Sequence, residues 1–175
     1  LGLELDVEKN TPNLLYGDEL RIKQAVTNLL TNAVKYTQKG GITLSVRHVN
    51  VSDDELRLYI SVSDTGIGIR REDQERLFES FVRLDENRNR SIEGTGLGLA
   101  ITNHIINEMQ GTIEFKSEYG KGSTFTISVL QKVLDRQPVG KFEDWYQYTV
   151  KRPKQYLEQY DASGVRLLVV DDNEM

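Results

Sequence analysis

Hydrophobic positions recur along the chain with two different periods, and the switches between them mark out its elements. LGLELDV sets Leu1, Leu3, Leu5 and Val7 on one side and Glu4 and Asp6 on the other, the alternation of a half-buried strand. After the turn-like TPNLLYG the period lengthens. Leu20, Ala25, Val26, Leu29, Leu30, Ala33 and Val34 keep helical spacing, with Asp18 placed to cap the start and the pair Gly40 and Gly41 to end it. ITLSVRHV and LRLYISVS return to alternation as two strands, with Val49 to Glu55 as a polar, hairpin-like connection. REDQERLFESF reads as a short helix, and LDENRNRSIEG, polar and without either period, as a mobile loop. A second apolar helix follows the glycines at Gly94, Gly96 and Gly98; GTIEFKS and STFTISVL, joined by EYGKG, complete the strands.

Past Leu130 the character changes. Residues 131–164 hold Trp145, the only tryptophan, and Tyr146, Tyr148, Tyr156 and Tyr160, four of the eight tyrosines, together with Pro138 and Pro153. Rings of that size gain most from burial, so part of this stretch is expected to pack on a surface; a partly disordered tether is the alternative. The chain then ends in VRLLVVDDNEM, a buried-type strand running into paired carboxylates. The expected organisation is a body at 1–130, an aromatic-rich linker at 131–164 and a strand with an acidic turn at 165–175. A length of 175 residues suits one domain with such an appendage. The net charge of −5 and the lack of a long basic run disfavour nucleic acid and acidic membrane surfaces as partners. Without cysteine there is neither a disulfide framework nor a thiolate metal site. No stretch is apolar enough to span a bilayer and no signal-peptide pattern opens the chain, so a soluble, cytoplasmic segment is expected, whether or not its parent is anchored in a membrane.

Three stretches carry candidate chemistry. GTGLGLAI sets bare backbone before a helix, where N–H groups and the helix dipole attract an anion; it is a plausible phosphate seat, or only a tight turn. It is not G-x-G-x-x-G after a strand, and no Walker pattern occurs. DTGIGI follows an alternating strand, so Asp64 emerges at a strand end. There it can accept a hydrogen bond from an exocyclic amine such as that of adenine, with Gly66 and Gly68 letting a flat ring approach, or it is a turn residue. On the first helix, Gln24, Asn28 and Asn32 recur every fourth residue as one polar stripe, with Lys35 and Tyr36 a turn further on. Asparagine is an indifferent helix former; a task that justifies two is presenting carbonyl oxygens to Mg²⁺, the alternative being a solvated edge.

In order and approximate spacing, NLLTNAVKYT, DTGIGI, LFESF, GTGLGLAI and GKGSTF resemble the nucleotide-binding boxes of sensor histidine kinases, a branch of the GHKL (HATPase_c) superfamily, from about Leu1 to Leu130. The resemblance implies an α/β (α+β) fold: a two-layer Bergerat-type ATP-binding sandwich with a mixed, mainly antiparallel sheet packed on helices. It implies ATP and Mg²⁺ as cofactors. Asn28 and Asn32 would bind Mg²⁺, Lys35 meet phosphate oxygens, Tyr36 line the adenine pocket and Asp64 read the adenine amine beside Gly66 and Gly68. Gly94, Thr95, Gly96, Leu97 and Gly98 would border the triphosphate. Arg83 to Glu93 would form a lid, coupled to the body by Phe78 and Phe81. Arg83, Arg88 and Arg90 are further phosphate candidates, and Thr124 after the last glycine turn another.

In that family the γ-phosphoryl passes to a histidine on a helical hairpin, typically followed by an acidic residue. Here His48 is followed by Val49 and His104 by Ile105, so neither resembles the acceptor. The resemblance therefore implies a protein histidine kinase's catalytic domain whose partner is a histidine-bearing dimerisation hairpin, with no catalytic side chain assigned within the chain. VRLLVVDDNEM resembles the opening of a response-regulator receiver domain, with Asp171 and Asp172 at its Mg²⁺ site, which implies a hybrid kinase parent and a downstream receiver as second partner. A regulatory module that holds ATP but phosphorylates nothing is the competing expectation. The chaperone, topoisomerase and mismatch-repair ATPases of the same fold use an acidic base that Gln24 cannot replace.

Overall fold

In a computed structural model the protein is described over residues 1–79 and 96–140. The expectations for Phe81, Arg83, Arg88, Arg90, Gly94 and Thr95, for the aromatic stretch after residue 140 and for Asp171 and Asp172 lie outside the described residues.

The elements run β1 (Gly2–Val7), β2 (Pro12–Tyr16), α1 (Glu19–Tyr36), β3 (Gly41–Asn50), β4 (Glu55–Asp64), α2 (Arg71–Gln74), α3 (Gly98–Glu108), β5 (Thr112–Glu118) and β6 (Gly122–Pro138). The strands make one sheet in the order β1-β3-β4-β6-β2, with β5 also paired to β6. Only the β1–β3 pair among these is parallel, so the sheet is mixed and mainly antiparallel, as expected.

The two faces of the sheet follow from the alternation. On β4, Leu56, Leu58, Ile60 and Val62 are buried and face α1 and α3. Phe125, Ile127 and Val129 join them from β6, Ala25, Leu29 and Ala33 from α1, and Ile106 from α3. Complete burial of a side chain such as Leu29 or Ile127 stabilises by about 1.5–3 kcal/mol. The opposite face is lined by short hydroxyls paired across strands, Ser61 with Thr126 at 2.8 Å and Ser63 with Thr124 at 2.9 Å.

Asp18 caps α1 as its position suggests, accepting the Arg21 N–H at 3.0 Å, and Lys35 lies in the last turn, where a cation complements the helix dipole. The helix stops at Tyr36, short of the glycine pair, because Thr37 turns extended and is buried, and the Tyr36 carbonyl is taken by the Ile67 N–H at 3.2 Å.

Three differences from the sequence pattern have identifiable causes. PNLLY is a strand, because Leu15 and Tyr16 pair with Val133 and Lys132 of a final strand that runs on to Pro138, past Leu130. The alternation of β1 is present but poorly buried: Leu3 is 72% and Leu5 37% exposed, since β1 is the sheet edge and α1 packs over β4. The helix expected from REDQERLFESF is confined to Arg71–Gln74; beyond it, N–H groups of Arg76, Leu77 and Glu79 bond three residues back, in tight turns. Gln74 ties this segment to the body by donating to the carbonyls of Ile69 and Ser117.

Candidate functional site

The three chemistry-bearing stretches meet on the helix-covered side of the sheet, and α1 connects them. Midway along α1 the half-buried Asn28 directs Nδ2 to the Gly98 carbonyl and to Thr102 Oγ1, each at 3.4 Å. Asn32 lies one turn further; a Cβ placed on Gly98 would stand 3.9 Å from its Nδ2. The polar stripe therefore faces the start of α3. That helix begins at Gly98 with no side-chain cap and no acidic residue in its first turn, and Leu97 and Gly96, the latter at φ +71°, lead into it. Such a terminus suits an anion.

At the C-terminal end of α1 lies the loop after β4. Asp64 alternates with buried Val62 and pairs in register with Ser123, so its side chain belongs to the helix side. Its Oδ1 accepts the Gly66 N–H at 2.8 Å and the Thr37 hydroxyl at 3.5 Å. Burial pushes the Asp64 carboxyl up from its ordinary value, and hydrogen bonds from the Gly66 and Ser123 backbones and from Thr37 oppose the shift. Gly66 is required by closeness alone: a Cβ there would stand 2.3 Å from the Tyr36 carbonyl oxygen. Gly68, at φ +66°, turns the loop under the β5–β6 hairpin, where the Glu118 carbonyl would meet any side chain. From Asn28 to Tyr36 the helix rises about 12 Å. That separation is of the scale of a nucleoside triphosphate, longer than a lone phosphate or base.

Lys35 follows the asparagine stripe, with Nζ 5.3 Å from the centre of the Tyr36 ring. Phe78 packs edge-on against Phe115 at 5.9 Å, and Phe115 stacks on Phe125, which anchors the segment entering residues 80–95 to the sheet. Thr124 borders one cavity with Asp64, but its hydroxyl is bonded to Ser63, on the sheet face opposite the Asp64 side chain. The neighbouring Ser123, on the Asp64 face, and Thr37 are the residues that sequence reasoning missed. Register would have found Ser123, since it sits one position from Thr124 and alternation decides which faces Asp64. Gln24 is exposed at the near end of the stripe. His48 sits with Nδ1 3.2 Å from Glu8 Oε2, and His104 is on the exposed side of α3.

The donor set bears on which cation could be held. No group of three or more His, Cys, Asp or Glu side chains is assembled among the described residues. The oxygens at the α1–α3 junction are asparagine amides, and the Asn28 nitrogen is turned to α3, leaving Oδ1 for another partner. Two neutral oxygens fit a hard ion that brings phosphate and water ligands with it, such as Mg²⁺.

Against known proteins, residues 17–133 match the family described as histidine kinase-, DNA gyrase B-, and HSP90-like ATPase. The signal transduction histidine-protein kinase BarA of Escherichia coli K12 is 42% identical over 129 residues, 74% of this chain and 14% of its own length. The hybrid signal transduction histidine kinase B of Dictyostelium discoideum is 32% identical over 186 aligned residues, 99% of this chain and 9% of its own. The chain thus spans a small part of the curated relatives it matches. Among solved structures, full-length ShkA in complex with AMPPNP aligns with a TM-score of 0.66 and 30% identity, over 77% of this chain and 26% of that one.

Proposed function

This chain belongs to the histidine kinase-, DNA gyrase B-, and HSP90-like ATPase family, and we propose that it is the Mg·ATP-binding catalytic domain of a sensor histidine kinase. The observation that carries the reading is the pair of polar clusters joined by the second half of α1, Asn28 and Asn32 against Gly98 midway and Asp64 with Gly66 against Tyr36 at the C-terminal end. Asp64 accepts the adenine amine, Tyr36 lines the ring, Lys35 and the α3 terminus hold phosphate oxygens, and the Asn28 and Asn32 oxygens would hold Mg²⁺. An Mg²⁺ ion held by Asn28 and Asn32 would supply charge neutralisation at the triphosphate. These residues bind and orient; the nucleophile is a histidine on a helical hairpin of another module, because positioning and charge neutralisation are most of what phosphoryl transfer needs from a protein. The body, expected over residues 1–130, is taken to include β6 to Pro138, with the aromatic stretch of the expected 131–164 linker beyond it leading to a receiver that opens at 165–175, in a cytoplasmic arrangement. No helix among the described residues is long and apolar enough to cross a membrane.

The test is to incubate the chain with Mg·[γ-³²P]ATP and a hairpin supplied in trans. Acid-labile label on the hairpin histidine, unchanged when His48→Gln and His104→Gln are combined, is the expected result. Saturable ATP binding with no label on a hairpin that a known kinase domain does phosphorylate would instead make this a regulatory nucleotide-binding module.

A further inference from the structure

We infer that Thr102 is a positioning residue for Asn28, holding its amide so that Oδ1 and not Nδ2 is presented to the metal-bearing phosphates. The inference rests on the nucleotide reading above and deepens it at the α1–α3 junction. Its basis is proton count. The Gly98 carbonyl can only accept, so the Asn28 atom 3.4 Å from it is the NH₂ group. Thr102 Oγ1 donates its single proton to that same carbonyl at 2.8 Å, so toward Asn28 it too can only accept, again from Nδ2 at 3.4 Å. Both partners thus select one orientation of the amide. Turned over, Asn28 would set Oδ1 against the Gly98 carbonyl oxygen with no proton between them, would gain a proton from Thr102 only if that hydroxyl gave up its 2.8 Å bond to the same carbonyl, and would point N–H groups at the cation. Thr102 is fully buried, so water is not at hand to replace its hydroxyl. Nothing in the stretch ITNHII marks this threonine from sequence; it is picked out by lying one turn after Gly98 while α1 crosses beside it.

The experiment measures affinity of the 175-residue chain for AMP-PNP by calorimetry, in Mg²⁺ and in excess EDTA, for wild type, Thr102→Val, Thr102→Ser and Asn28→Ala, each first shown to unfold cooperatively. Valine keeps the shape without the acceptor; Thr102→Ala stands in should valine fail to fold. The expected result is that Thr102→Val loses about tenfold of the affinity gained from Mg²⁺, the order seen when a residue orienting a metal ligand is removed. Thr102→Ser restores it, and affinities in EDTA stay together. Full Mg²⁺ enhancement in Thr102→Val beside its loss in Asn28→Ala overturns this inference alone. Equal losses with and without Mg²⁺, unrescued by serine, overturn it as well, since they describe a packing role. Undiminished enhancement in Asn28→Ala overturns the metal assignment itself and the inference with it.

Discussion

Replacing Gly98 by alanine separates the two uses a glycine can have in GTGLGLAI. If the residue served only a tight turn, its backbone or its surroundings would exclude a side chain. Neither does: Gly98 is the first residue of α3 and its φ is not positive, and among the described residues a Cβ would meet nothing nearer than Asn32 Nδ2 at 3.9 Å, an ordinary contact. Alanine is the better helix former by up to about 1 kcal/mol, so Gly98→Ala should leave the fold as stable as before or more so, by that amount at most. In a domain of this size this is a rise in Tm of roughly 2–6 °C. The same methyl, however, projects beside Asn32 into the space assigned to the triphosphate. Mg·ATP affinity should therefore fall by at least about tenfold, equivalent to 1.4 kcal/mol. Thermal unfolding followed by circular dichroism and calorimetric titration of the same samples give the two readings. Gain of stability with loss of binding is expected; wild-type binding would refute the reasoning that the glycine is kept for a ligand, and loss of folding would refute the geometry behind it.

The remaining predictions concern the C-terminal end of α1. Gly66→Ala must displace the Tyr36 carbonyl or the loop, so overpacking of about 1–3 kcal/mol and loss of the Ile67 to Tyr36 hydrogen bond, about 0.5–1.5 kcal/mol, should lower stability in urea unfolding, in contrast to Gly98→Ala. Asp64→Asn keeps an acceptor for Gly66 but removes a charge that burial penalises, so the apo protein should be no less stable while nucleotide binding is lost. The pH dependence follows from the raised carboxyl. The folded state holds its proton more tightly than the unfolded state, so the stability due to Asp64 is full below 3.8 and is lost as pH rises through the folded pKa; unfolding of Asp64→Asn should lack that slope. Nucleotide affinity of the wild type should move the opposite way, rising over the same interval as the carboxylate forms.

Much of this was legible because it depends on period and register within short stretches. The alternation of β3 and β4, the capping of α1 by Asp18 and the emergence of Asp64 at a strand end need only local geometry. What failed needed partners distant in sequence. PNLLY looks like a turn until Val133 and Lys132 are beside it, and the apolar side of β1 looks buried until α1 is seen to cover the middle of the sheet. The phase of Thr124 is of the same kind: a one-position choice on a strand decides the face of the side chain, and only pairing with Ser63 shows that its hydroxyl is turned away from Asp64. Thr37 and Thr102 were invisible because their roles are hydrogen bonds to residues 27 and 74 positions away.

The central claim is that one Mg·ATP lies along α1, adenine at Asp64 and phosphates at Asn28, Asn32 and Gly98. Calorimetric titration of the chain with a non-hydrolysable Mg·ATP analogue, beside the corresponding GTP analogue and folded Asp64→Asn and Asn32→Ala variants, tests it most directly. The account predicts saturable one-site binding that discriminates against GTP and is lost in both variants; a folded wild-type chain that binds neither nucleotide, or variants that bind as well as wild type, would contradict it.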